Sequence, residues 1–140
     1  MPSRLPVDAD VKLIELWQGI RADCEATMPG RRYLLTCTYR SPAEQFEAFK
    51  IGRVLSADGT WGLDQDDTTR VVTLFDGKLR KSKHNVRPSR ALDFMVLIAG
   101  KVTWRMEEYQ VVGRTAEARG LVWGGSWPKL RDGPHIELPD

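Results

Sequence analysis

The chain has 140 residues, of which 41% are hydrophobic and 29% charged. That length fits one domain, and it can bury a core without disulfides or a structural metal. The formal net charge of +2 is too mild for a dedicated nucleic-acid binder. No apolar run approaches the roughly 20 residues that span a bilayer, so no stable membrane association is expected.

Met1 to Ala9 lacks the apolar stretch of a secretory signal, so a start in the cytoplasm is expected. Asp10 to Met28 reads as the first helix. Leu13, Leu16, Trp17, Ile20 and Cys24 fall on one stripe, Asp8 or Asp10 can cap the start, and Pro29-Gly30 stops it. Arg32 to Thr38 reads as a strand. Ser41-Pro42-Ala43-Glu44 then starts a second helix with a capping box, ending near Gly52, with Phe46 and Phe49 facing the core. Ser56 to Thr69 is polar and rich in turn residues, so it reads as an irregular loop, and its acidic group Asp64, Asp66 and Asp67 reads as solvated. Val71 to Phe75 suits a short strand and Asp76 to Lys83 a basic connection.

Ala91 to Ile98 is apolar apart from Asp93 and reads as a central strand, turned by Gly100-Lys101. Arg105 to Arg119 suits a third helix with Tyr109, Val112 and Ala116 on one face and Gly120 as its stop. Leu121 to Trp123 and His135 to Leu138 complete the strands, with a turn at Gly124-Gly125. The predicted class is α+β: one small domain with a mostly antiparallel sheet and about three helices. Cys24 and Cys37 stand apart, away from the histidines in sequence, and read as buried thiols.

The chain has two histidines, His84 and His135, each in a polar stretch near its own carboxylates. Imidazole nitrogen and carboxylate oxygen are zinc ligands, and three protein ligands with a fourth position open suit a catalytic ion. His84 and Asp93 from one stretch and His135 from the other make such a set. Asp93 is the lone charge in an apolar run, a costly placement unless it is paired or holds a metal. Asp132, three residues before His135, is a spare carboxylate. His135 and Glu137 are two apart on a strand and share a face, so Glu137 can hydrogen-bond a ligand from behind. Taken singly, each of these residues also has an ordinary structural use as a core histidine, a salt-bridged aspartate or a turn residue.

The residues around them add to this. Ser82-x-His84-Asn85-x-x-Pro88-Ser89-x-Ala91-x-Asp93 resembles the first zinc motif of the family of D-alanyl-D-alanine carboxypeptidases and L-alanyl-D-glutamate endopeptidases, many of them phage endolysins. Asp132-x-Pro134-His135-x-Glu137-Leu138 resembles the second motif. Gly120-Leu121-x-Trp123-Gly124-Gly125-x-Trp127 is similar to the lead-in to it, and Thr38-Tyr39-Arg40-Ser41-Pro42-x-Glu44-Gln45 to an upstream segment. The gap from His84 to Asp93 is longer than in the commoner family form.

The resemblance implies a Hedgehog/D,D-peptidase-like fold, with residues 1–140 forming a single catalytic domain without a wall-binding module. It implies one zinc ion on His84, Asp93 and His135. Asp132 would be the general base that activates the attacking water, and Arg40 would stabilise negative charge. Ser82 and Gln45 would shape the substrate site. Trp61 is the expected aromatic substrate contact, while Trp123 and Trp127 pack around the site. The partner implied is bacterial peptidoglycan, acted on by a monomer. The leading expectation is a phage endolysin that cleaves the peptide stem between L-alanine and D-glutamate after holin-dependent release from the host cytoplasm. The alternatives are a D-alanyl-D-alanine carboxypeptidase or dipeptidase, or a non-catalytic virion or wall-binding domain of the same fold.

Overall fold

The computed structural model describes residues 1–64 and 70–140. Asp66, Asp67 and the end of the predicted loop at Thr69 lie outside the described residues. No helix among those described is long and apolar enough to cross a membrane.

Helix α1 (Val11–Thr27) starts where Asp10 accepts hydrogen bonds from the amides of Lys12 and Leu13. Its buried side is Leu13, Ile14, Trp17, Ile20 and Cys24. Strand β1 (Arg31–Cys37) follows, then α2 (Pro42–Lys50), opened by the expected box: Ser41 accepts from the Glu44 amide and the Glu44 carboxylate accepts from the Ser41 amide. Strand β4 (Ala91–Ile98) turns through Ala99 and Gly100, both at positive φ, into β5 (Lys101–Thr103). Helix α3 (Met106–Ala118) ends before Gly120, whose φ of 85° suits glycine. Two short strands complete the main sheet, β6 (Val122–Trp123) and β7 (His135–Glu137).

The main sheet runs β1-β4-β7-β6, with β5 also on β4, and its pairings are antiparallel. Strand β4 is its centre. Along one edge its first residues pair with β7 and its last with β5. Leu92, Phe94 and Val96 alternate onto the face covered by α1 and α3, where Phe94 meets the rings of Trp17 and Tyr109 at centroid distances of 5.3 Å each. Full burial of such side chains contributes about 1.5–3 kcal/mol apiece. This face holds the fold together and leaves the opposite face of β4 free to carry polar chemistry. The fold is α+β with a mostly antiparallel sheet and three α-helices among the described residues, as expected.

Three local expectations need correction. Residues Arg53–Leu55 (β2) and Trp61–Leu63 (β3) form a small antiparallel hairpin, so Trp61, expected in the irregular loop from Ser56 to Thr69, lies on a strand. The fully buried residue of α2 is Gln45, whereas Phe46 and Phe49 are half-buried and stack on each other. Helix α2 packs on the hairpin, with Phe46 edge-on to Trp61 at 6.4 Å, and so never reaches the main core. Val71 to Phe75 forms no strand. Its polar groups are bonded by side chains instead: Gln45 Nε2 donates to Phe75 O at 2.9 Å and Arg53 Nη1 to Thr73 O at 3.0 Å.

Candidate active site

Strand register builds half of the site. Asp93 on β4 is the register partner of His135 on β7 and of Cys37 on β1, so these residues form one row across three strands. Because strand side chains alternate, Asp93 projects away from the face of Leu92 and Phe94. His135 opens β7, where its amide donates to Asp132 O at 3.2 Å.

The other histidine comes from a short 3-10 turn, Lys83–Asn85. Ser82 caps this turn by accepting from the His84 amide at 3.2 Å, and Asn85 Oδ1 accepts in return from the Ser82 amide at 2.8 Å. Asn85 Nδ2 donates to Arg40 O at 2.9 Å, and the Arg40 amide donates to His84 O at 2.9 Å. The turn is thereby tied to the segment after β1. Ser89, fully buried, ties down its far end by donating to Thr38 O at 2.8 Å.

Asp93 Oδ1 lies 3.2 Å from His84 Nε2 and 3.1 Å from His135 Nδ1. For bonds of about 2.0–2.1 Å, two ligand atoms of a tetrahedral zinc ion stand about 3.3 Å apart. Both spacings fit that edge. The remaining ring nitrogens are already committed: His84 Nδ1 is 2.7 Å from Thr38 O, and His135 Nε2 is 2.8 Å from Glu137 Oε1. As donors there, the two rings turn His84 Nε2 and His135 Nδ1 toward Asp93 as lone-pair nitrogens, the tautomers a metal requires. The residues present therefore fit a metal ion.

Burial opposes charge on both histidines, but Asp93 outweighs it and raises their proton affinity. Burial likewise opposes charge on Asp93, yet the two imidazoles hold its carboxyl well below the usual range. Protons around one carboxylate are what a divalent cation displaces on binding.

Asp132 belongs to the same cluster: its ligand atom and those of Asp93 and His135 lie within 4.8 Å of one another. Burial first, and then the charge of Asp93, push its carboxyl up to about 6. A carboxylate with that affinity takes up and returns a proton near neutral pH. Gly124 allows the approach, because a Cβ there would stand 2.5 Å from Asp132 O. Arg40 Nη2 lies 3.5 Å from Asp93 Oδ2, and its Nη1 donates to Gln45 Oε1 at 3.0 Å. Arg40, His84, Asp93, Asp132, His135 and Glu137 all line one cleft of about 700 Å³.

The remaining predicted residues fall in different places. Ser82 lines the cleft but is engaged as the cap of the His84 turn. Gln45 is fully buried and lies behind Arg40, where it orients the guanidinium and stays out of reach of a substrate. Trp61 packs against Phe46 and Lys50 and is not among the cleft residues. Trp127 takes the place expected of it, lining the cleft with its ring 4.9 Å from that of His135, while Trp123 is a buried packing residue. The sequence reading also missed Cys37, whose thiol is 3.8 Å from His84 Nδ1, and Lys83, which pairs with Glu137. Cys37, His84 and Asp93 form a second group of ligand atoms within 4.8 Å. Alternation along β1 could have flagged Cys37, but only with the register in hand.

Comparisons with known proteins bear on the family and the fold. A family model described as D-alanyl-D-alanine carboxypeptidase matches residues 76–138, the span that contains both histidines. The chain is 27% identical to the peptidoglycan L-alanyl-D-glutamate endopeptidase CwlK of Bacillus subtilis, over 96% of this chain and 77% of that protein. It shares its fold with the crystal structure of the Serratia marcescens L-Ala D-Glu endopeptidase ChiX, at a TM-score of 0.59 and 20% identity, covering 99% of this chain and 90% of the other. The resemblance read from the motifs holds.

Proposed function

We propose that this chain, a metallopeptidase of the D-alanyl-D-alanine carboxypeptidase family, hydrolyses the peptide stem of bacterial peptidoglycan between L-alanine and D-glutamate. The observation that carries the reading is the convergence of His84, Asp93 and His135 with Asp132 and Arg40 in one cleft. The similarity to an L-alanyl-D-glutamate endopeptidase along nearly the whole chain supports the choice of bond.

His84, Asp93 and His135 would hold one zinc ion, which the mixed imidazole and carboxylate donor set suits. When bound, zinc supplies Lewis acidity, polarising a carbonyl oxygen and making water easier to deprotonate. Asp132 takes a proton from the attacking water through its carboxylate oxygen. As the C–N bond breaks, it passes that proton to the leaving amine nitrogen. Arg40 offers its guanidinium to the negative charge that develops on the former carbonyl oxygen. Gln45, accepting from Arg40 Nη1, keeps that group aimed. Trp127 gives the cleft an apolar wall beside His135.

The biological setting we assign is phage lysis, with the enzyme reaching the wall from the host cytoplasm through a holin. The sequence resemblance to phage endolysins supports that setting. It predicts that cells expressing the chain lyse when the inner membrane is permeabilised and stay intact when it is not. The enzymatic reading is tested by digesting purified peptidoglycan and analysing the fragments by mass spectrometry, with and without a chelator. New L-alanine C-termini paired with D-glutamate N-termini, lost on chelation and restored by zinc, are the expected result. Release of free D-alanine would instead move the chain to carboxypeptidase action, the reading that the family description favours.

A further inference from the structure

Lys83 stands where the two halves of the site meet. It precedes His84 in the first motif, and its Nζ reaches across to the second. There it lies 2.8 Å from Glu137 Oε2 and donates to Leu138 O at 2.5 Å. The other oxygen of Glu137 accepts from His135 Nε2 at 2.8 Å. One carboxylate thus bridges an ammonium and an imidazole, each through its own oxygen.

We propose that Lys83 is a positioning residue of the metal centre, bracing Glu137 so that His135 presents Nδ1 to the ion. The proposal rests on reading the cleft as a metal site. The ion pair is sheltered, with the Lys83 and Glu137 side chains 22% and 15% exposed, so it is screened less than a surface pair. The second acid near Lys83, Asp140, is 98% exposed at 3.1 Å and contributes little. Without the ammonium, Glu137 Oε2 loses its charged partner in a half-buried place, and the carboxylate is free to turn from His135. The brace also fastens the chain after β7 to the turn that carries His84. Two ligands remote in sequence are thereby held at one separation. Lys83 falls between the residues that spell the first motif, so the motif itself does not reveal it.

The test is zinc affinity of the full chain, measured by competition with a chromophoric chelator and independent of turnover. Lys83→Met is expected to weaken zinc binding up to about 10-fold, the lower end of the 10–100-fold usual for losing a ligand's direct outer partner, because it acts one step removed through Glu137. Lys83→Arg, which keeps the charge, is expected to recover most of it. In a Glu137→Gln background, Lys83→Met is expected to add little further loss, because its effect runs through Glu137. Wild-type affinity in Lys83→Met overturns the brace, and so does a full additional loss in the Glu137→Gln background. If Lys83→Met does not fold, Glu137→Gln alone reads the same contact, since it keeps a group facing His135 and removes the charge that Lys83 meets. Unchanged affinity there also overturns the proposal. A wild-type chain that takes up no zinc removes the metal reading itself and the brace with it, a result distinct from zinc bound equally by both chains.

Discussion

The indole of Trp123 connects the core to the loop that carries Asp132, and Gly113→Ala tests that connection. Gly113 lies on α3 against the face of this ring. A Cβ there would stand 2.5 Å from Trp123 Cγ and closer still to Cδ2 and Cε2. Carbon atoms pack at about 3.5–4.0 Å, so the ring or the helix must give way by at least ~1 Å. Gly125 approaches the same indole, so the ring has little room to retreat. Trp123 Nε1 donates to Gly133 O at 2.8 Å in a buried place, and a ring pushed aside loses that bond. Overpacking costs about 1–3 kcal/mol, and a buried polar group left unpaired about 1–3 more. A total of about 2–6 kcal/mol corresponds to a fall in Tm of about 6–18 °C for a domain of this size. Because Gly133 adjoins Asp132, turnover should fall further than the unfolded fraction explains. The assay is thermal melting followed by circular dichroism, with turnover measured well below Tm. Gly62→Ala is the control: its Cβ meets nothing within 4 Å among the described residues and Tm should stay put. A Tm for Gly113→Ala within a degree of wild type would refute the packing argument.

Three other outcomes follow from particular contacts. Asp132→Asn should leave zinc binding and Tm near wild type while lowering kcat about 10²–10⁴-fold, measured on a synthetic stem peptide; near-normal turnover would remove Asp132 as the proton carrier. Tyr33→Phe should be neutral or raise Tm slightly, because the Tyr33 hydroxyl is buried without a hydrogen-bond partner among the described residues, and burial pushes its pKa up to about 12. A clear drop in Tm would mean that the hydroxyl has a partner in solution. Glu108 accepts from Arg31 Nε and Nη2 at 3.2 and 3.1 Å, and this pairing lowers its pKa below the usual 4.5. A folded pKa below the unfolded one stabilises at higher pH and is lost as pH falls. Glu108→Gln should therefore melt below wild type at pH 7, and the difference should shrink below about pH 4.5. A gap independent of pH would show that charge is not its source.

The legible parts of the chain are those whose chemistry is local. The Ser41 box, the Asp10 cap and the apolar run of β4 each declare themselves within a few residues, and the structure has all three. The two histidine stretches are legible for the same reason, since each carries its ligands and their supports close together. What the sequence conceals is set at long range. Cys37 faces Asp93 only because β1 pairs with β4 in a register that shifts between Leu35 and Cys37. Gln45 reads as a polar residue on a helix with aromatic neighbours, yet it is the one buried, because Arg40, Thr73 and Phe75 all need its amide. Trp61 looks available in a polar stretch, but its hairpin gives it Phe46 as a neighbour. Lys83 reads as one more charge in a basic run until the fold brings Glu137 to it.

The central claim is that one zinc ion on His84, Asp93 and His135 makes this cleft a peptidase. The most direct measurement strips the protein with a chelator, returns zinc in steps, and follows bound metal and stem-peptide cleavage in the same samples. The account predicts no cleavage without metal, recovery in proportion to zinc, and a plateau at about one ion per chain, with His84→Ala and His135→Ala failing in both readouts. Full cleavage by the stripped protein, or stoichiometric zinc binding that survives both histidine substitutions, would contradict it.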